Sequence, residues 1–297
     1  MGSVGAMPMA VESPDLASPE DLRALIEARL PQLIPADDGK LAQAGRDALL
    51  SPGKRVRPVL TMMAAEQVGG RAADALDFGC AVEMIHAASL TLDDLPCMDD
   101  AELRRGAPAL HRRLGEDAAI LAAVALLTEA TRVVVAGALP AEARLDLVDL
   151  LTGAVGFDGL AEGQMRDLRD AGEARDVAGL RRINDLKTGA LFVAALRGGA
   201  LLGGARGEEL ERMTEFGRAI GFAFQLCDDL LDVNATAAEV GKDVGKDGRM
   251  LTFVDVWGEG RVRAAVRQSL NKAADAAGPD GPMTRYVIDL FRHAGAV

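Results

Sequence analysis

The sequence predicts an all-α protein, and composition and periodicity carry that prediction. Aromatic residues are only 3% of the 297, with one Trp and one Tyr, while 49% are hydrophobic. Ala, Leu, Arg and Glu are abundant, which favours helix over strand. Apolar residues recur at three- and four-residue steps through Leu22–Leu33, Leu41–Leu50, Val56–Val68, Ala72–Leu92, Ala118–Ala136, Ala141–Val155, Leu180–Leu202 and Leu210–Val233. Each run is read as helix. The breaks between them hold Pro35, Pro52-Gly53, Gly69-Gly70, Pro140, Gly156 and Gly203-Gly204, the punctuation of a helical bundle. Several runs are apolar on nearly all sides, as buried members of a large bundle would be.

Residues 1–19 carry Gly, Ser and Pro without periodicity and are expected to form a flexible arm; residues 20–297 are read as one domain. The net charge of −12 argues against nucleic acid or an anionic membrane surface as the main partner, so an anionic substrate would need local basic clusters. Three cysteines, Cys80, Cys97 and Cys227, lack metal-type spacing, and no cationic segment leads into an apolar stretch at the start. A cytoplasmic setting is expected. The longest strongly apolar run, Ala118 to Leu127, is half of the roughly 20 residues a membrane crossing needs, which predicts no membrane span.

Two acidic clusters each close an apolar helix. The first reads Asp93-Asp94-Leu95-Pro96-Cys97-Met98-Asp99-Asp100 and the second Gln225-Leu226-Cys227-Asp228-Asp229-Leu230-Leu231-Asp232. Carboxylates packed this densely beside buried helix are costly unless cations neutralise them. Gln225, Asp228 and Asp232 are spaced three and four apart and share a helix face. Pro96 lacks an N–H and should break the turn between Asp93 and Asp99, letting them converge. Hard oxygen ligands on facing helices suit magnesium, which keeps several waters and bridges to substrate phosphates.

Basic groups lie around these clusters. Pro52-Gly53-Lys54-Arg55-Val56-Arg57-Pro58 leads into a helix, Leu103-Arg104-Arg105-Gly106 follows the first cluster, and Lys187-Thr188-Gly189 and Gly241-Lys242-Asp243-Val244-Gly245-Lys246 come later. Helix N-termini and Lys or Arg heads are the ordinary means of holding phosphate oxygens. His86 lies about two turns before Asp93.

In order, these segments resemble the trans-prenyltransferases of the isoprenoid synthase family, in particular bacterial geranylgeranyl and farnesyl diphosphate synthases. The likeness runs from about Lys54 to about Gly258 and covers GKRVRP, MIHAAS, DDLPCMDD with LRRG, KTG, FQLCDDLLD and GKDVGKD. It implies one bundle of about a dozen helices around a deep cavity, commonly a homodimer. It implies isopentenyl diphosphate and an allylic diphosphate as substrates, and magnesium as cofactor, with three ions when substrate is bound. Asp93, Asp99 and Asp228 would be metal ligands, supported by Asp94 and Asp232. Lys54, Arg57, His86 and Arg105 would hold isopentenyl diphosphate. Arg104, Lys187, Thr188, Gln225 and Lys242 would contact the allylic diphosphate, with Lys246 as a further diphosphate contact. The catalytic set implied is Asp93, Asp94, Asp99, Arg104, Lys187 and Asp228. The chain departs from the pattern at Leu92, where many relatives carry His, and at Arg249, which replaces a lysine in a shortened loop.

A growing prenyl chain should run down alongside the first-cluster helix. Ala88 and Ser89 lie about 6–7.5 Å below Asp93, and both are small. Similar farnesyl synthases commonly carry an aromatic residue at the position of Ala88, so the resemblance implies a twenty-carbon product, with Met84 and Ile85 as the next floor. A farnesyl synthase is the alternative. A class I terpene cyclase, a non-catalytic synthase subunit and a calcium-binding structural protein fit less well. The second aspartate cluster and Lys54 to Arg57 argue against the first, the full set of aspartates against the second, and the lack of a compact oxygen-rich loop against the third.

Overall fold

The computed structural model describes residues 18–36, 39–169, 176–234 and 251–296. Lys242, Lys246 and Arg249 lie outside the described residues, as does the expected N-terminal arm up to residue 17. Helix α1 (Pro19–Arg29) opens with Ser18 accepting from the Asp21 amide while Asp21 caps back, and it ends in a 3-10 turn, Leu30–Leu33. α2 (Lys40–Leu49) and α3 (Val56–Gln67) follow, and a 3-10 turn at Ala72–Ala75 leads into α4 (Leu76–Asp93). The periodic runs thus correspond to helices, with ends shifted by a few residues.

The segment after α4 contains the only strands among the described residues, Leu103–Arg104 (β1) paired antiparallel with Ala107–Pro108 (β2). Both turn residues have positive φ, Arg105 at 55° and Gly106 at 79°, as a tight two-residue hairpin demands. A short α5 (Leu110–Leu114) precedes α6 (Glu116–Ala136), α7 (Ala141–Val155) and α8 (Leu160–Arg169). The single run expected from Leu180 to Leu202 is two helices, α9 (Val177–Asn184) and α10 (Ala190–Leu202), joined through a π-helical turn at Asp185–Gly189. Then come α11 (Glu208–Asn234), α12 (Phe253–Trp257), α13 (Glu259–Ala277) and α14 (Pro282–His293).

The core centres on α3, α4, α10 and α11, with α6 against α4 and α13 against α11. α4 buries Phe78, Cys80, Val82, Met84, Ile85 and Ala88 around its circumference, which is why its sequence shows no polar face. The length argument against a membrane span does not hold. The Ala118–Leu127 run is part of the 21-residue α6, and both α6 and Ala72–Asp93 are long and apolar enough to cross a membrane by length and composition. α4 is mostly buried inside the bundle, whereas α6 exposes Ile120, Leu121, Val124 and Val135 along one side.

Candidate active site

The first acidic wall is built by the way α4 stops. After Asp93 the chain folds back on itself: the Asp99 amide donates to the Asp93 carbonyl at 2.9 Å, and the amides of Asp100 and Ala101 donate to Leu95 and Asp94. Pro96 sits in this turn, and Leu95 anchors it in a small apolar cluster with Ala44, Leu110, Ala119 and Ala122. Residues six apart in sequence are thereby neighbours. Burial, with help from Asp99 and Asp94 and against the pull of Lys187 and Arg104, pushes the Asp93 carboxyl up to about 6. Asp94 is buried and accepts from Arg104 Nε at 2.8 Å and from a second guanidinium nitrogen, so the adjacent aspartates face different partners.

The second wall is the C-terminal part of α11. Asp228 is exposed, Asp232 half-buried and Asp229 buried. Asp229 accepts from Gln225 Nε2 and from the Phe253 amide, both at 2.8 Å, and so ties α12 to α11. Burial pushes its carboxyl up to about 6; those two hydrogen bonds oppose the shift, while Asp228 and Asp232 add to it.

The π-helical turn forms the third wall. Lys187 Nζ donates to Asp167 Oδ2 at 2.7 Å, and Thr188 Oγ1 donates to Gln225 Oε1 at 3.3 Å. Burial draws the Lys187 pKa down, yet Asp167, Asp93 and Asp99 together hold it above the usual value, so it stays charged. Helix α8 reaches this turn because residue 163 is glycine: a Cβ there would stand 2.4 Å from the Lys187 amide nitrogen. A cavity of about 130 Å³ lies between the walls, bordered by Asp99, Asp167, Lys187, Gln225, Asp229 and Asp232. Both acidic clusters therefore open on one space.

The remaining cations gather beside α4. Arg57 Nη1 lies 3.4 Å from His86 Nε2, and its guanidinium stacks 4.2 Å from the Phe192 ring centre. Burial lowers Arg57 to about 10 and drives His86 well below its ordinary range, helped by Arg57, Arg105, Arg104 and Arg55, so His86 is neutral at pH 7. Arg105 folds back to donate to the Ser51 carbonyl and hydroxyl at 3.2 and 3.0 Å, and Lys54 is exposed. Among the described residues, the three non-glycine residues with positive φ are Arg55, Asp100 and Arg105, and two of them, Arg55 and Arg105, belong to this cation group and donate to the same Ser51 carbonyl. Strained backbone concentrates where side chains must be aimed. Ala88 and Met84 are fully buried below, with Ile85 and Ser89 nearly so.

Several residues here escaped sequence reasoning. Asp167 and Gln164 lie three apart on α8 and their spacing alone carries no signal in the sequence; Glu83, an acid between the apolar stretches Cys80–Val82 and Met84–Ile85 of α4, is a sign of a buried ion pair. Asp229 was read only as part of its cluster.

Among the described residues, no three Asp, Glu, His or Cys side chains converge closely enough to chelate a cation alone. The donor set nonetheless fits magnesium. Carboxyls whose pKa rises through crowding and burial favour a nearby cation, and magnesium takes one or two carboxylates and completes its shell with water and phosphate oxygens.

Residues 39–253 match the family model for polyprenyl synthetase. The chain is 40% identical over 280 residues to the geranylgeranyl diphosphate synthase of Pantoea ananas, covering 92% of each chain. It is 41% identical over 280 residues to the protein of that name from Pseudescherichia vulneris, covering 92% of this chain and 90% of that one. Among solved structures, it resembles a geranyltransferase from Helicobacter pylori complexed with magnesium and isoprenyl diphosphate. The TM-score is 0.84 at 27% identity, over 96% and 98% of the two chains. It also resembles an apo FPP/GFPP synthase from Zymomonas mobilis, with TM-score 0.81 at 29% identity over 93% and 96%.

Proposed function

The chain belongs to the polyprenyl synthetase family, and on that footing we propose that it is a prenyltransferase condensing isopentenyl diphosphate with allylic diphosphates to make geranylgeranyl diphosphate. The observation that carries this reading is the single cavity shared by the two acidic clusters and Lys187. Ala88, small and fully buried below Asp93, and relatives named for the twenty-carbon product support the chain length.

Ionisation of the allylic carbon–oxygen bond leaves charge on the departing diphosphate. Lys187 and Arg104, with Lys242 and Lys246, are assigned to hold that charge, and Thr188 and Gln225 to orient the group. Lys54, Arg57, Arg105 and neutral His86 are assigned to the second diphosphate. Its double bond attacks the cationic carbon, and the released diphosphate takes the proton. Apolar walls exclude water from the cation. Magnesium supplies further neutralisation of the departing charge when bound, and we assign three ions to Asp93, Asp99 and Asp228, with Asp232 beside them. Asp94 contributes by fixing Arg104.

Two wider readings are also proposed. The exposed apolar side of α6 suits a second copy of the chain as a homodimer partner, and the free thiols Cys80, Cys97 and Cys227 suit a reducing cytoplasm. Incubation with dimethylallyl and isopentenyl diphosphates, with and without magnesium, tests the function. A magnesium-dependent twenty-carbon product is expected. A fifteen-carbon end product would reverse the chain-length assignment alone, and no prenyl product would overturn the whole reading.

A further inference from the structure

The last residue of α9 has no assigned task. Asn184 is 3% exposed and borders the cavity between the acidic walls, yet both its Oδ1 and its Nδ2 are buried without a hydrogen-bond partner. A buried amide with neither atom satisfied is uncommon, because taking its polar atoms from water is unfavourable without replacement bonds. Its position is set by the backbone. Leu180, Ile183, Asn184 and Lys187 follow one another at helical spacing and all border this cavity, and the π-helical turn begins directly after Asn184. π-helical turns inside helices occur frequently at functional sites.

The company Asn184 keeps identifies its partner. Asp99, Asp167, Asp229 and Asp232 border the same space, with Lys187 as the cation among them. Such a space attracts a hydrated divalent cation. Next to one, a carboxamide can accept from a bound water at Oδ1 and donate from Nδ2 to a carboxylate or phosphate oxygen, and it carries no charge of its own.

We propose that Asn184 is a positioning residue whose carboxamide orders the water shell of a divalent cation held between the two acidic clusters. The inference rests on the prenyltransferase reading above. It assigns Asn184 no contact with the reacting carbons.

The test uses the full-length Asn184→Leu and Asn184→Asp variants. Leu keeps the volume and removes both polar atoms, so thermal unfolding without ligand should match or exceed wild type. Binding of manganese(II), followed by electron paramagnetic resonance with an unreactive allylic thiolodiphosphate, should weaken by about 10-fold or more in Asn184→Leu. Asn184→Asp should retain or tighten it, and KM for isopentenyl diphosphate should stay unchanged in both. Wild-type manganese affinity in a stable Asn184→Leu protein would overturn the proposal, as would an unliganded Asn184→Leu protein that unfolds far below wild type, since the amide would then have structural partners. Failure of wild type to form any prenyl product would instead sink the reading on which the inference rests.

Discussion

Arg55 Nη1 donates to Glu83 Oε1 at 2.7 Å, an ion pair whose two side chains are 1% and 3% exposed. It joins the start of α3 to the middle of α4, and Arg55 Nε adds Glu27 of α1 at 2.9 Å. Glu83 and His86 lie three apart on α4, as Arg55 and Arg57 lie two apart on the facing chain, so the pair sets the register that brings Arg57 to His86. Glu83→Ala leaves a buried guanidinium without its innermost partner and should destabilise the protein by about 3–5 kcal/mol. Urea unfolding measures it. A double variant, Arg55→Met with Glu83→Leu, should recover much of that loss.

Asp93 carries the opposite kind of burden. Its folded pKa, about 6, lies above the ordinary carboxylate value of 3.8. The folded chain therefore binds the proton more tightly than the unfolded chain, and stability falls as pH rises from about 4 to about 6. The cost is complete above pH 6 and absent below 4. Asp93 is half-buried and its remaining contact with solvent screens part of that cost, which leaves about 1–2 kcal/mol. Asp93→Asn should raise the melting temperature of the magnesium-free protein at pH 7.5, leave it unchanged at about pH 4, and lower turnover by several orders of magnitude. Equal melting temperatures at pH 7.5 would contradict this.

Ala88→Phe places a ring where the chain is fully buried one turn below the first aspartates. Product chromatography should shift from twenty to fifteen carbons, with the rate of the first condensation largely kept. An unchanged product would place the floor on another side chain.

Gly163→Ala drives a methyl toward the backbone of Lys187. Relief requires α8 to move away from the π-helical turn, which overpacking data put at about 1–3 kcal/mol. Turnover should fall by at least 10-fold with far-ultraviolet circular dichroism intact. Gly163→Ala kinetics matching wild type would show that α8 does not hold Lys187 in place.

Leu121→Glu with Val124→Glu puts charge on the exposed side of α6. Light scattering should then report monomers in place of dimers. A wild-type protein that is already monomeric would remove the basis for this face as an interface.

The helical character, the apolar α4 and both acidic clusters were legible in the sequence because each is a local pattern: spacing on one helix needs no knowledge of its neighbours. The cation segments were legible too, since their order along the chain is itself a signature. Other features exist only across elements. Nothing in the Leu180–Leu202 periodicity announces the π-helical turn, which forms where α8, α9 and α11 meet and delivers Lys187 to Asp167 and Thr188 to Gln225. The pairing of Arg55 with Glu83 and the separate fates of Asp93 and Asp94 were likewise tertiary decisions. Local sequence sets which side chains a helix offers. Which of them meet depends on how closely neighbouring backbones approach and which buried charges must be matched, and both are settled only when the helices pack.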